Sequence, residues 1–170
     1  MAQAALALIL VLAATQIPRA PFVATPPDVV ERMLMLAAVT ANDVVYDLGS
    51  GDGRIVITAA QKFGARGVGV DIDPQHVADA QRNAARASVE HLVTFRVEDA
   101  LTTDLSPATV VTLYLLASQN VALKPRLMTQ LRPGARVVSH NFAMGDWEPD
   151  VVDTFTSTDR QPRTLYLWKR

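Results

Sequence analysis

The chain has 170 residues, 49% of them apolar, and a formal net charge of −1. That suits one domain with one core and gives no basic surplus for nucleic acid as the main partner. With no cysteine and only three scattered histidines (His76, His91, His140), the chain excludes disulfides, thiolate catalysis and zinc–thiolate sites, and no metal site is expected.

Residues 4–14 read AALALILVLAA, an uninterrupted apolar run. It is shorter than the roughly 20 residues of a membrane-spanning helix. It has the length of a signal-peptide core, although its only positive charge ahead is the amino terminus. Three readings compete for residues 1–20: a membrane tether, a secretion signal, and a helix packed on the domain or on a second copy. Residues 21–170 are then the functional domain.

Four prolines between Pro18 and Pro27 mark an extended connector. A helix is predicted next, with Thr25 as N-cap, Pro26 in its first position and Asp28 beside the positive helix end. Val30, Met33, Leu34 and Ala37 give it one apolar face. Asn42-Asp43 is a turn. Val44 to Leu48 reads as a first strand, and a glycine cluster follows it. Ile55, Ile57, Ala59, Ala60 and Phe63 form a second helix that stops at Gly64. Gly67 to Asp71 is a second strand. Asp73-Pro74 starts a helix whose Val77, Ala80 and Ala84 share a face. Leu92 to Val97 is a third strand and Thr109 to Leu116 a fourth. Leu123, Leu127 and Leu131 line the next helix, which Pro133-Gly134 ends. Ala135 to Ser139 is a fifth strand. Val151 to Phe155 and Thr164 to Trp168 complete the set.

Alternation of strand and helix at this spacing predicts an α/β domain. The expected fold is a single Rossmann-like, doubly wound seven-strand sheet, mostly parallel, with an antiparallel C-terminal hairpin strand. Strands that are apolar along their length suit a sheet covered on both faces.

Gly49-Ser50-Gly51-Asp52-Gly53 lies between the first strand and the second helix. Glycines there let the backbone turn tightly and approach a ligand. The ligand should lie beyond the carboxyl ends of the strands, at the switch point of the sheet. A dinucleotide needs the spacing GxGxxG and a helix end facing pyrophosphate. Here the spacing is GxGxG and the loop carries Asp47 and Asp52, which would repel phosphate. Carboxylates suit a cationic, phosphate-free cofactor instead. S-adenosylmethionine, with its amino group and sulfonium, meets that description. Asp71, ending the second strand, is placed to accept from ribose hydroxyls. Asp99, after the third strand, is placed to accept from the adenine amino group.

The order Asp-x-Gly-x-Gly-x-Gly, an acid ending the second strand, then Glu98-Asp99-Ala100 resembles the class I seven-strand methyltransferases. A narrower likeness is visible in Phe22-Val23-Ala24-Thr25-Pro26, in Val44 through Ile57, in Ala108 through Leu116, in Leu123-Lys124-Pro125 and in Arg136 through His140. These segments are similar to a family of small protein-lysine methyltransferases, archaeal and mitochondrial, some acting on membrane-embedded proteins. The family usually has Tyr-Val-Pro-Thr-Pro before the first helix. Here Phe22 replaces the tyrosine and Ala24 the first proline, while Thr25 is kept.

The resemblance implies a cofactor site of Phe22, Thr25, Asp47, Gly49, Ser50, Gly51, Asp52, Gly53, Asp71, Ile72, Asp99 and Ala100. It implies an acceptor site at the ends of the fourth and fifth strands, with Tyr114, Asn141 and Phe142 as catalytic candidates and the connector as a lid. His140 and Trp147 read as packing residues. The expected partner is a protein with an accessible lysine, including membrane proteins, with no nucleic acid and no metal. Under the tether reading, residues 4–14 contact the membrane and the protein works on its cytoplasmic side. A small-molecule methyltransferase and a non-catalytic cofactor-binding module are the alternatives.

Overall fold

The computed structural model describes residues 22–170. The apolar segment at 1–20, with its three readings, lies outside them. The elements are α1 (Pro27–Leu36), β1 (Val44–Leu48), α2 (Arg54–Phe63), β2 (Arg66–Asp71), α3 (Pro74–Arg86), β3 (Val93–Val97), β4 (Val110–Leu113), α4 (Ala117–Gln130), β5 (Arg136–His140), β6 (Val151–Thr156) and β7 (Pro162–Lys169).

The strands form one seven-stranded sheet in the order β3-β2-β1-β4-β5-β7-β6. The first five run parallel, and β7 lies antiparallel between β5 and the edge strand β6. The chain therefore reverses its winding between β1 and β4. The crevice beyond the carboxyl ends of these two strands is where a doubly wound sheet takes its ligand.

Both sheet faces are buried, each by its own cluster. On one face Val29, Met33 and Leu34 of α1, Ile55 and Val56 of α2 and Val77 of α3 pack over Val45, Val110 and Val138. On the other, Leu123 and Leu127 of α4 pack with Leu48, Leu113, Val137 and Trp168. β1 and β4 are buried nearly end to end, which accounts for their continuous apolar runs. The edge strand β6 is mostly exposed. The Arg32 guanidinium of α1 anchors it, bonded to Asp153 at 2.6 and 2.8 Å and lying 4.2 Å over the Phe155 ring.

At the amino ends of the strands, Asp43 joins three segments. It accepts from both terminal nitrogens of Arg136 at 3.0 Å, from Thr109 Oγ1 at 2.7 Å and from the Thr40 amide at 2.8 Å. Burial pushes the Asp43 carboxyl up, but the Arg136 guanidinium and the Thr109 hydroxyl outweigh it and hold the group down at about 2.

Two sequence expectations need correction. Thr25 does not cap α1: the helix starts one residue later, its N-cap is Pro26, and no side chain caps it. Consecutive prolines favour an extended backbone at Thr25 and Pro26. Asp28 meanwhile accepts from Ser157 Oγ and the Thr158 amide, binding α1 to the β6–β7 turn. The fourth strand also ends early, at Leu113. Leu115 stays buried beyond it, so an apolar run continues where the ladder has stopped. No helix among the described residues is long and apolar enough to cross a membrane.

Candidate active site

β1 delivers the chain to the crevice, and the glycine loop turns it back into α2. The Gly49 and Ser50 amides both donate to the Val70 carbonyl at 2.9 Å, and the Gly53 amide donates to the Ser50 carbonyl at 2.9 Å. Gly51 and Gly53 have φ of 52° and 81°, which residues with a Cβ rarely adopt. Space forbids side chains there too. A Cβ on Gly51 would sit 2.1 Å from the Phe22 ring, and one on Gly53 would sit 2.6 Å from the Phe95 ring. The Ser50 hydroxyl is buried without a partner among the described residues. It lies 2.7 Å from where a Gly69 Cβ would be, so it faces the sheet, not the crevice.

Three carboxylates surround this loop, in different states. Asp47 is buried on β1 and accepts from Thr112 Oγ1 of β4 at 2.7 Å. Burial pushes its pKa up to about 7; the Thr112 bond opposes this, while the charges of Asp71 and Asp52 add to it. Asp71 ends β2. Its Oδ2 accepts from the Gly51 amide at 2.8 Å, and its Oδ1 accepts from the Asp73 amide at 3.0 Å. Asp52 is neutralised by Arg54, whose Nε and Nη2 donate at 2.9 and 2.6 Å. Burial raises Asp52, yet Arg54 leaves it below the ordinary carboxylate range. Arg54 Nη1 also donates to the Thr25 carbonyl at 2.8 Å, so Thr25 holds the connector to the loop through its backbone. Asp52 thus braces this contact, while Asp47 has no basic partner among the described residues.

The arrangement suits a cationic ligand. Among the described residues no basic side chain forms a salt bridge with Asp47, which is raised toward protonation by burial and by like charges. A sulfonium or ammonium in the crevice would relieve that repulsion. Ile72, 43% exposed just past β2, and the Asp99-Ala100 turn past β3 lie at the same carboxyl edge. Asp99 Oδ1 accepts from the Leu101 amide at 2.9 Å and shapes that turn.

The acceptor side is aromatic. The Tyr114 ring lies 4.0 Å from that of His140 and 6.4 Å from that of Phe142. His140 is fully buried, and among the described residues both ring nitrogens lack partners. Burial pulls its pKa down to about 4, with Arg163 adding to the effect and Asp159 opposing it, so the imidazole is neutral. Asn141 has a φ of 63°, and its amide oxygen accepts from the Thr164 amide at 3.0 Å. It therefore helps fix the corner from β5 to β7, beside Tyr114 and Phe142. Sequence reasoning missed Asn120, which is fully buried and donates to the Phe142 carbonyl at 3.0 Å and to Ser139 Oγ at 3.1 Å. Its signal was a polar residue on the stripe of Leu123 and Leu127. Trp147 packs 5.9 Å from Trp168, and its carbonyl accepts from that indole at 2.8 Å.

Residues 47–151 match the family model described as the ANTKMT methyltransferase domain. The chain belongs to this methyltransferase family. It is 44% identical over 153 residues to a protein-lysine N-methyltransferase of Saccharolobus islandicus, an alignment covering 89% of this chain and 94% of that protein. It is 34% identical to an adenine nucleotide translocase lysine N-methyltransferase of Mus musculus, spanning 78% of this chain but 57% of the mouse protein. A crystal structure of an RNA methyltransferase from Salinibacter ruber in complex with S-adenosyl-L-homocysteine is similar at 54% identity and a TM-score of 0.82, covering 86% of this chain and 93% of that one. Like its family, the chain is an S-adenosylmethionine-dependent methyltransferase, with the glycine loop of GxGxG spacing at the head of its crevice.

Proposed function

We propose that this methyltransferase acts on the ε-amine of lysine in proteins. The observation that carries this reading is the Saccharolobus islandicus protein-lysine N-methyltransferase, aligned over nearly the whole of both chains. The acceptor wall supports it. A lysine must lose its proton before it can attack, at a cost of roughly 4–5 kcal/mol at pH 7. An apolar, uncharged wall favours the neutral amine. Tyr114 and Phe142 offer such a wall, with the buried, neutral His140 packed against Tyr114, so no dedicated base is required.

Bound S-adenosylmethionine supplies a methyl group on a positively charged sulfur. The residues of the chain position and shield. Asp71 accepts from the ribose, and Asp47 supplies negative potential to the cationic part. Phe22 covers the glycine loop. Asp99 and Ile72 border the adenine, and Tyr114 aligns the incoming amine. Positioning of this kind is where most of the acceleration of a displacement arises.

The reading extends to acceptors in membranes, which the Mus musculus relative supports by naming a translocase as its substrate. It takes residues 4–14 as a tether on the cytoplasmic side, a reading that rests on their uninterrupted apolar run. A second reading, methylation of RNA, is favoured by the Salinibacter ruber protein, although a net charge of −1 offers little to a phosphate backbone. Incubating the full chain with methyl-labelled cofactor and separate soluble, membrane and RNA fractions decides between them. We expect label that protease removes and ribonuclease does not. Label confined to RNA would overturn the proposal.

A further inference from the structure

Beside the glycine loop, four residues from three segments of the chain close a ring of contacts. The Gly51 amide donates to Asp71 Oδ2 at 2.8 Å. Asp71 Oδ1 lies 3.2 Å from His76 Nδ1. The His76 ring lies 4.7 Å from the Phe22 ring, tilted by 42°. Phe22 returns to Gly51, whose missing Cβ leaves room for its edge. A carboxylate oxygen can only accept, so the contact with Asp71 requires the proton on His76 Nδ1.

We propose that His76 is a positioning residue of the cofactor site: it orients the Asp71 carboxylate and seats the Phe22 ring over the glycine loop, so that carboxylate and cover are set together. The inference rests on the assignment of Asp71 to the ribose of the cofactor. Its physical basis is a division of labour. The Gly51 and Asp73 amides already hold one oxygen of Asp71 each, but Gly51 has no side chain and only leaves room for Phe22, so the side chain that links carboxylate and connector is that of His76. Within the ring of contacts, His76 touches both the carboxylate and Phe22. It stands in the first turn of α3, behind the Asp73 cap that accepts from the Gln75 amide at 2.8 Å, so its backbone is fixed. A phenylalanine in this place would keep the ring contact and lose the hydrogen bond. An asparagine can keep a donor and loses the ring.

The test is calorimetric titration of the full chain with S-adenosylhomocysteine, for wild type, H76A, H76N, H76F, F22A and D71A, each checked for folding by thermal melting. We expect H76A to weaken binding roughly tenfold, with H76N and H76F each recovering part of the loss. The effects of H76A and F22A should be less than additive, because both break the same contact. The KM for the acceptor should stay within about twofold in H76A, which a general loss of structure would not allow. In the free protein the nitrogen-15 spectrum should show His76 carrying its proton on Nδ1, and D71A, which removes the acceptor, should abolish that preference. If D71A weakens binding while H76A, H76N and H76F all bind as wild type, the role given to His76 is wrong. If D71A itself binds as wild type, the ribose assignment beneath it fails instead.

Discussion

The Thr112 hydroxyl of β4 donates to Asp47 Oδ1 of β1 across 2.7 Å, at the point where the sheet reverses its winding. This bond opposes the burial that has raised the Asp47 carboxyl to about 7. Asp47 is therefore poised to lose its proton when a cation arrives. Binding of S-adenosylmethionine should tighten as pH rises through about 7 and then level off, because the complex favours the charged carboxylate. A proton should be released on binding near neutral pH, measurable by calorimetry in buffers of different ionisation enthalpy. D47N should bind more weakly and release none. Binding independent of pH across this range would contradict the role of Asp47.

The same group affects stability, and His140 opposes it. Asp47 has a raised pKa in the folded protein, so its contribution is full below the unfolded value near 3.8 and is lost as pH rises through about 7. His140 is lowered from 6.5 to about 4. The unfolded chain then takes up a proton that the folded one refuses, and stability falls as pH drops through that window. The two slopes offset each other between about pH 4 and 6.5. Replacing each residue should expose the other: D47N should lose stability on acidification in that window, and H140F should gain it. Urea midpoints at several pH values check this, and parallel curves for all three proteins would refute it.

Arg136 and Asp43 make a doubly bonded ion pair at the amino ends of the strands, with Arg136 also donating to the Ala37 carbonyl at 2.9 Å. Removing one partner leaves a largely buried charge unpaired. R136A should destabilise by about 3–5 kcal/mol, without altering cofactor affinity per folded molecule, since the pair lies at the sheet end remote from the crevice. Asp43 is held down at about 2. Its contribution is present above about 3.8 and is lost as pH falls toward 2. Chemical denaturation and cofactor titration together separate stability from binding.

Tyr114 lies against both His140 and Phe142. If its ring aligns the acceptor, Y114F should keep activity within a few-fold and Y114A should reduce kcat/KM for the acceptor about 10²-fold. Cofactor affinity should hardly change in either. Steady-state kinetics with the acceptor varied, beside direct cofactor titration, would detect the opposite pattern, which would make Tyr114 a core residue.

Local features were the legible ones. The continuous run of β1, the stop at Gly64 (φ 68°) and the Asp73-Pro74 start of α3 each follow from residues adjacent in sequence. So does the loop of GxGxG spacing, because its context between strand and helix is local. What pairs with what was not legible. Asp52 reads as a bare carboxylate until Arg54 folds back on it. The sequence does not show that the Asn141 amide oxygen accepts from the Thr164 amide and ties β5 to β7. His76 and Phe22 are 54 positions apart in the chain, and only the crossover into α3 brings them together. Tyr114 to Leu116 look like strand because Leu115 is buried, and burial alone does not reveal where a hydrogen-bond ladder ends.

Methyl transfer from S-adenosylmethionine to lysine in a protein leaves a mark that can be read residue by residue. The most direct measurement is peptide mass spectrometry of a membrane and soluble protein fraction incubated with the purified full chain and isotopically labelled cofactor. Labelled methyl groups are expected on lysine side chains, abolished when the Asp71→Ala variant replaces the wild-type chain. Labelled RNA or small molecules in place of labelled lysine would contradict it.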